Sequence, residues 1–93
     1  MSVLITGGSG LIGSTLARIL AERGEMVWVF DRAIVPERFS GIEENVKTIR
    51  GDLECFSHVL DAVKQAQPRV IYHLGAMLSM PANADPPAAF ATN

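Results

Sequence analysis

The 93-residue chain has a single cysteine, Cys55, which excludes an internal disulfide and any cysteine-rich zinc site. Such sparse cysteine use fits a reduced, cytoplasmic setting. The chain also lacks a positive surplus. Its net charge is −2 and its pI about 5.5, which argues against an electrostatic partner such as DNA or RNA. No run of like charges forms a membrane-surface patch. The opening residues do not read as a secretory signal: they have no basic segment, and Gly7, Gly8, Gly10 and Gly13 break the apolar stretch. No stretch reaches the roughly 18 uncharged apolar residues that span a bilayer, so no membrane partner is expected.

What the chain does have is apolar content. At 48% hydrophobic and 19% charged, with a mean hydropathy of +0.24, it is too apolar for a disordered segment. Its length gives room for one small domain with a thin core.

Strand and helix signals alternate. Val3-Leu4-Ile5-Thr6 is a short continuous apolar run, as in a strand of a parallel sheet buried on both faces. Ile12, Leu16, Ile19 and Leu20 then recur at helical spacing, and Gly24 supplies a helix stop. Met26 to Phe30 reads as a second strand ending at Asp31, and 32–44 as a connection containing Pro36 and Gly41. Val46 to Ile49 is a third strand. Phe56, Val59, Leu60 and Val63 mark a second amphipathic helix, closed by Pro68. Val70 to Leu74 is a fourth strand, 75–87 a proline-containing loop, and a last helix starts near Ala88. Strand–helix–strand order with short links implies right-handed crossovers, hence an α/β fold with a parallel sheet and flanking helices.

The most informative segment is Thr6-Gly7-Gly8-Ser9-Gly10-Leu11-Ile12-Gly13, with glycines at 7, 10 and 13 between a strand and a helix. In that context each glycine has a task. Gly7 turns the chain off the strand. Gly10 leaves the backbone open to a pyrophosphate. Gly13 lets the helix lie close to the sheet. The first N–H groups of the helix, those of Leu11 and Ile12, then face the phosphates with the helix dipole behind them. Asp31 lies 18 residues beyond Gly13, where an acid accepts the ribose hydroxyls of an adenosine and repels a 2′-phosphate. This favours NAD over NADP as the cofactor. Arg32 pulls the other way, because a guanidinium can hold that phosphate.

These residues resemble the opening of the short-chain dehydrogenase/reductase superfamily, in particular its extended branch of NAD-dependent epimerases, dehydratases and dehydrogenases. Three further segments fit: Gly51-Asp52-Leu53, Tyr72-His73-Leu74-Gly75-Ala76, and Asp85-Pro86 ahead of the terminal Thr92-Asn93. The resemblance implies a Rossmann-like sheet of order 3-2-1-4, the first four strands of a doubly wound fold. It places Asp52 and Leu53 beside the adenine, and Leu74, Gly75 and Ala76 under the ribose and nicotinamide. It also implies that Asn93 helps to orient the fourth-strand region in a full-length relative. Gly75 departs from the commoner alanine, a harmless change. The loop Ala76-Met77-Leu78-Ser79-Met80 is more similar to short-chain L-threonine 3-dehydrogenases than to UDP-sugar epimerases, which places Ser79 beside the nicotinamide and substrate. A loop hydroxyl bonded to nearby backbone is the plainer reading of Ser79.

The family's catalytic Ser/Thr and Tyr-x-x-x-Lys pair are not in residues 1–93, so no catalytic residue can be assigned. The position four after Tyr72 is Ala76. In whole relatives the resemblance implies that such a tyrosine takes a hydroxyl proton while a carbon-bound hydrogen passes to the cofactor. The expectation is therefore the first part of an NAD(P)-binding domain, without catalytic or substrate-binding parts, whose small-molecule substrate is met in a longer form. The alternatives are an NAD-dependent nucleotide-sugar epimerase or dehydratase, and a non-catalytic nucleotide-binding or oligomerisation module. The fourth strand, apolar and at the sheet's edge, makes a homo-oligomer expected.

Asp52 has two compatible readings, adenine contact and cap of the following helix. His73 reads as a packed residue bonded to backbone, His58 as solvent-facing, Trp28 as core, and Cys55 as a small half-buried residue near a helix start. No metal site is read.

Overall fold

A computed structural model describes residues 2–74. The elements are β1 (Ser2–Thr6), α1 (Leu11–Glu22), β2 (Met26–Asp31), two short 3-10 turns (Pro36–Phe39 and Glu43–Asn45), β3 (Val46–Arg50), α2 (Phe56–Ala66) and β4 (Val70–His73). The 3-10 turns fill the connection that sequence left without period. The expected loop 75–87, the last helix near Ala88, and Gly75, Ala76, Ser79, Asp85, Pro86 and Asn93 lie outside the described residues.

All strand pairs are parallel and the sheet order is β3-β2-β1-β4. The Rossmann-like α/β class expected from sequence is the one observed. The chain leaves β1 toward β2 and β3, then crosses to the other side of β1 to form β4. The order thus reverses at β1, and open parallel sheets bind ligands beyond the carboxyl ends of the strands at such a point. The glycine loop follows β1 there.

Continuous apolar strands have a simple cause: both faces are covered. Val3 and Ile5 of β1 and Val27 and Val29 of β2 join Ala17 and Ala21 of α1, with Phe39 and Ile42 from the connection. The alternate residues Leu4 and Phe30 face Ala62 of α2, with Trp28, Ile49 and Val59 packed around them. Full burial of a Val, Ile or Phe side chain contributes roughly 1.5–3 kcal/mol, so these few residues dominate the core. Trp28 is half-buried rather than central, with the Lys47 ammonium 5.8 Å from its ring centroid.

One expectation is corrected. The Ile12/Leu16/Ile19/Leu20 stripe is not the buried face of α1. The buried residues are Gly13, Ser14, Ala17 and Ala21, with Leu16 and Leu20 at the margin, while Ile12 is 74% exposed and Ile19 44%. Small residues win because the helix runs too close to the sheet and loop for branched side chains. Helix α2 ends at Gln67, whose φ of 43° is left-handed, immediately before Pro68.

Candidate functional site

The loop 7–10 is built by its backbone. Gly7 has φ 71°, a conformation open to glycine, and its N–H donates to Phe30 O at 2.8 Å, tying the turn to β2. A Cβ on Gly13 would lie 2.4 Å from Gly7 O and 2.5 Å from Gly8 Cα, so α1 docks on the loop only through glycine. Gly8 is equally pressed, 2.8 Å from Val29 Cγ1. The spacing rule gave Gly8 no role; this contact against β2 is its role.

Gly10 differs. Its φ is −73°, an ordinary value, and a Cβ there would meet nothing nearer than Gly7 O at 3.6 Å. Nothing inside the protein demands glycine at this position. The backbone there is open to solvent. Gly10 is also the N-cap of α1, and no side chain caps the helix or places an acid in its first turn. The first intrahelical bond runs from Ser14 N–H to Gly10 O at 2.8 Å. The N–H groups of Leu11 and Ile12 therefore have no acceptor among the described residues, which is the state of an anion-binding helix start. The cradle is narrower than the whole glycine stretch. Gly7 N–H is taken by Phe30, Ser9 N–H by Asp31, and Gly10 N–H by Gly7 O at 3.3 Å.

Asp31 ends β2 beside this loop. Its Oδ2 accepts from Ser9 N–H at 3.1 Å and its Oδ1 from Ala33 N–H at 3.5 Å. The carboxylate is thus fixed at the mouth before any ligand arrives, with lone pairs remaining. Ser9, 2% exposed, was not singled out by sequence. Its Oγ accepts from Val35 N–H and its carbonyl from Arg38 Nη1 at 3.2 Å, so the connection after β2 is pinned to the glycine loop. Arg18 adds to this brace, donating to Arg38 O and Ser40 O. Arg32 is exposed. No spacing rule points to Ser9 or Arg38, because their link crosses from one loop to another.

The other predicted positions flank this centre. Gly51 N–H donates to Asp31 O at 3.0 Å, carrying the 51–53 segment to the end of β2. Asp52 Oδ1 accepts from Glu54 N–H at 2.9 Å, and Asp52 N–H donates to His58 Nδ1 at 3.1 Å. The capping reading of Asp52 is corrected: the N-cap of α2 is Cys55, and the Asp52 side chain closes the turn ahead of it. Leu53 is half-buried against the α2-side core. His58 is exposed, as expected. The Cys55 thiol is held below the usual cysteine range, first by its side-chain hydrogen bond with Ser57 (3.3 Å) and then by the His58 backbone N–H. His73 is exposed rather than packed. Its Nδ1 lies 2.6 Å from Thr6 Oγ1, a side-chain partner where backbone was expected. Leu74 N–H donates to Thr6 O at 2.9 Å, extending the pairing past β4.

A separate concavity of about 310 Å³ is lined by Ala21, Glu22 and residues 41–45. It sits at the far end of α1, about 18 Å of helix away from the glycine loop, and shares none of its groups. Among the described residues no cluster of His, Cys, Asp or Glu could hold a metal ion, and no helix is long and apolar enough to cross a membrane.

The loop, its uncapped helix start and Asp31 thus lie together at the carboxyl ends of β1 and β2, and known proteins share this fold. The chain is 42% identical over 77 residues to the 2-alkyl-3-oxoalkanoate reductase of Stenotrophomonas maltophilia, covering 82% of this chain and 22% of that protein. Among solved structures, the UDP-glucose 4-epimerase of Thermus thermophilus in complex with NAD superposes with a TM-score of 0.78 at 32% identity, over 99% of this chain and 30% of that one. The L-threonine dehydrogenase of Clostridium difficile gives 0.72 at 25% identity, over 98% and 28%. The chain thus spans less than a third of each of these proteins. Residues 3–93 match the NAD dependent epimerase/dehydratase family, and the chain belongs to that family.

Proposed function

We propose that the chain is the cofactor-holding first part of an NAD-dependent oxidoreductase of this family, with catalytic and substrate-binding groups supplied by further sequence. The observation that carries this reading is Gly10. It stands open to solvent beneath two unpartnered helix-start amides, with the Asp31 carboxylate fixed alongside.

In this reading the N–H groups of Leu11 and Ile12 hold the pyrophosphate, Gly7 and Gly13 shape the turn, and Asp31 accepts the adenosine ribose hydroxyls. Asp52 and Leu53 border the adenine. Leu74, Gly75, Ala76 and Asn93 belong to the nicotinamide side, and Ser79 to the substrate side. A bound NAD would supply the nicotinamide that accepts or returns a hydride. The protein's share is to orient the cofactor and disfavour a 2′-phosphate through Asp31, so NAD is preferred to NADP. The 76–80 loop favours a threonine dehydrogenase-like substrate. The second reading, a nucleotide-sugar epimerase, is supported by the higher identity and TM-score to the Thermus epimerase.

Calorimetric titration tests the cofactor. Wild type should take up NAD more tightly than NADP, and Asp31→Ala should weaken NAD about tenfold, as expected for a charge-assisted bond. If wild type and Asp31→Ala bind both dinucleotides alike, the role given to Asp31 is wrong. We further propose a cytoplasmic setting and self-association. A concentration-independent monomer by sedimentation velocity would refute the association.

A further inference from the structure

Ser9 has all three of its polar groups committed inside the protein. Its N–H meets Asp31 Oδ2, its Oγ meets Val35 N–H, and its carbonyl meets Arg38 Nη1 at 3.2 Å. Asp31 and Arg38 are therefore bonded to opposite ends of one buried residue. A carboxylate and a guanidinium are each tied to the glycine loop although the whole turn after β2 separates them in the chain. Arg32, adjacent to Asp31 in sequence, and Arg38 are both exposed, and what distinguishes Arg38 is its bond to the glycine loop. Arg38 is anchored by one nitrogen. A guanidinium has five N–H donors in a fork suited to phosphate, so most of them remain for an anion.

We propose that Arg38, not Arg32, determines how this site treats a dinucleotide bearing a 2′-phosphate on its adenosine ribose. The inference rests on the dinucleotide reading above. A phosphate monoester carries about −1.5 to −2 charges at neutral pH, so it senses the balance of the charges around the ribose. Asp31 repels it. Arg38, held on the same residue that positions Asp31, offsets part of that repulsion. The chain accordingly discriminates against NADP less than its aspartate alone would dictate. Ser9 links the two charges, each through one hydrogen bond to its backbone.

The test is a calorimetric comparison of NAD and NADP on the 93-residue wild type, Arg38→Ala, Arg38→Lys and Arg32→Ala. Melting curves confirm that each variant is folded. Arg38→Ala should weaken NADP about tenfold while NAD changes by less than about threefold. Arg38→Lys should recover much of the NADP binding, and Arg32→Ala should leave the ratio unchanged. An equal loss of both dinucleotides in Arg38→Ala would make Arg38 only a brace for the loop and overturn the proposal. So would a ratio shift in Arg32→Ala as large as that in Arg38→Ala, or a wild type that takes up NAD but no NADP. A wild type that binds neither dinucleotide overturns the cofactor reading itself, and the inference falls with it. That outcome is visible before any variant is compared.

Discussion

Replacing Gly10 and Gly13 by alanine, one at a time, separates holding the fold from holding the ligand. At Gly13 the new methyl would lie 2.4 Å from Gly7 O and 2.5 Å from Gly8 Cα, both backbone atoms. Ordinary contact begins about 1 Å farther out, so the helix or the turn must shift. The turn is held by the Gly7 N–H to Phe30 O bond and cannot yield cheaply. Overpacking of this kind costs about 1–3 kcal/mol or more, against a gain of about 1 kcal/mol from alanine's helix propensity. A net loss of about 2 kcal/mol lowers Tm by on the order of 10 °C in a domain this small. At Gly10 the methyl meets only Gly7 O at 3.6 Å, and the φ of −73° suits alanine. The N-cap position makes alanine slightly unfavourable, and lower unfolded-state entropy compensates, so stability should stay within about 1 kcal/mol of wild type. NAD affinity should nevertheless fall about tenfold or more, because the methyl occupies the approach of the phosphates to the amides. Thermal unfolding and NAD calorimetry on both variants read the two effects separately. A Gly10→Ala chain that binds NAD like wild type, or that melts as early as Gly13→Ala, would refute the division of roles.

Two further predictions concern the flank of the site. Gly51→Ala places a methyl 2.6 Å from Phe30 Cε2 and 3.2 Å from His58 Cβ, and Phe30 is 1% exposed, so it should lose about 1–3 kcal/mol in urea unfolding. An unchanged midpoint would show that the Phe30 ring has room to move. The lowered Cys55 thiol means that the folded chain favours the thiolate. The pH profile of iodoacetamide alkylation should therefore rise at lower pH in the folded chain than in the urea-unfolded one. Ser57→Ala should move it back up, since Ser57 is the main cause. Superimposable profiles for the folded and unfolded chains would remove the Ser57 contact from consideration.

The elements were legible because each is recorded by a local pattern. Val3 to Thr6 and Met26 to Phe30 are apolar without alternation because α1 covers one face of the sheet and α2 the other. The glycine spacing was legible because backbone geometry at Gly7 and Gly13 admits little else. The face of α1 was misread for a related reason. Hydrophobic size predicts burial where space is ample, but here the helix approaches so closely that Gly13, Ala17 and Ala21 go inside and Ile12 and Ile19 stay out. Ser9 and Arg38 were illegible because a bond between two loops leaves no period in the chain. The same holds for the Thr6–His73 contact, which depends on register between β1 and β4.

The glycine loop can select a cofactor without selecting a substrate, for a structural reason. Every group that would meet the pyrophosphate is a main-chain amide, and the glycines around it serve only to bring that main chain close. Such a site encodes the shape of a dinucleotide and nothing of what is oxidised or epimerised. It would serve a reductase, an epimerase or a threonine dehydrogenase alike, and this chain resembles proteins of each kind. In the proposed reading side-chain chemistry enters at the ribose, through Asp31 and Arg38, both bonded to Ser9. The selectivity of residues 2–74 should accordingly be found among dinucleotides, with substrate selectivity residing in groups beyond them.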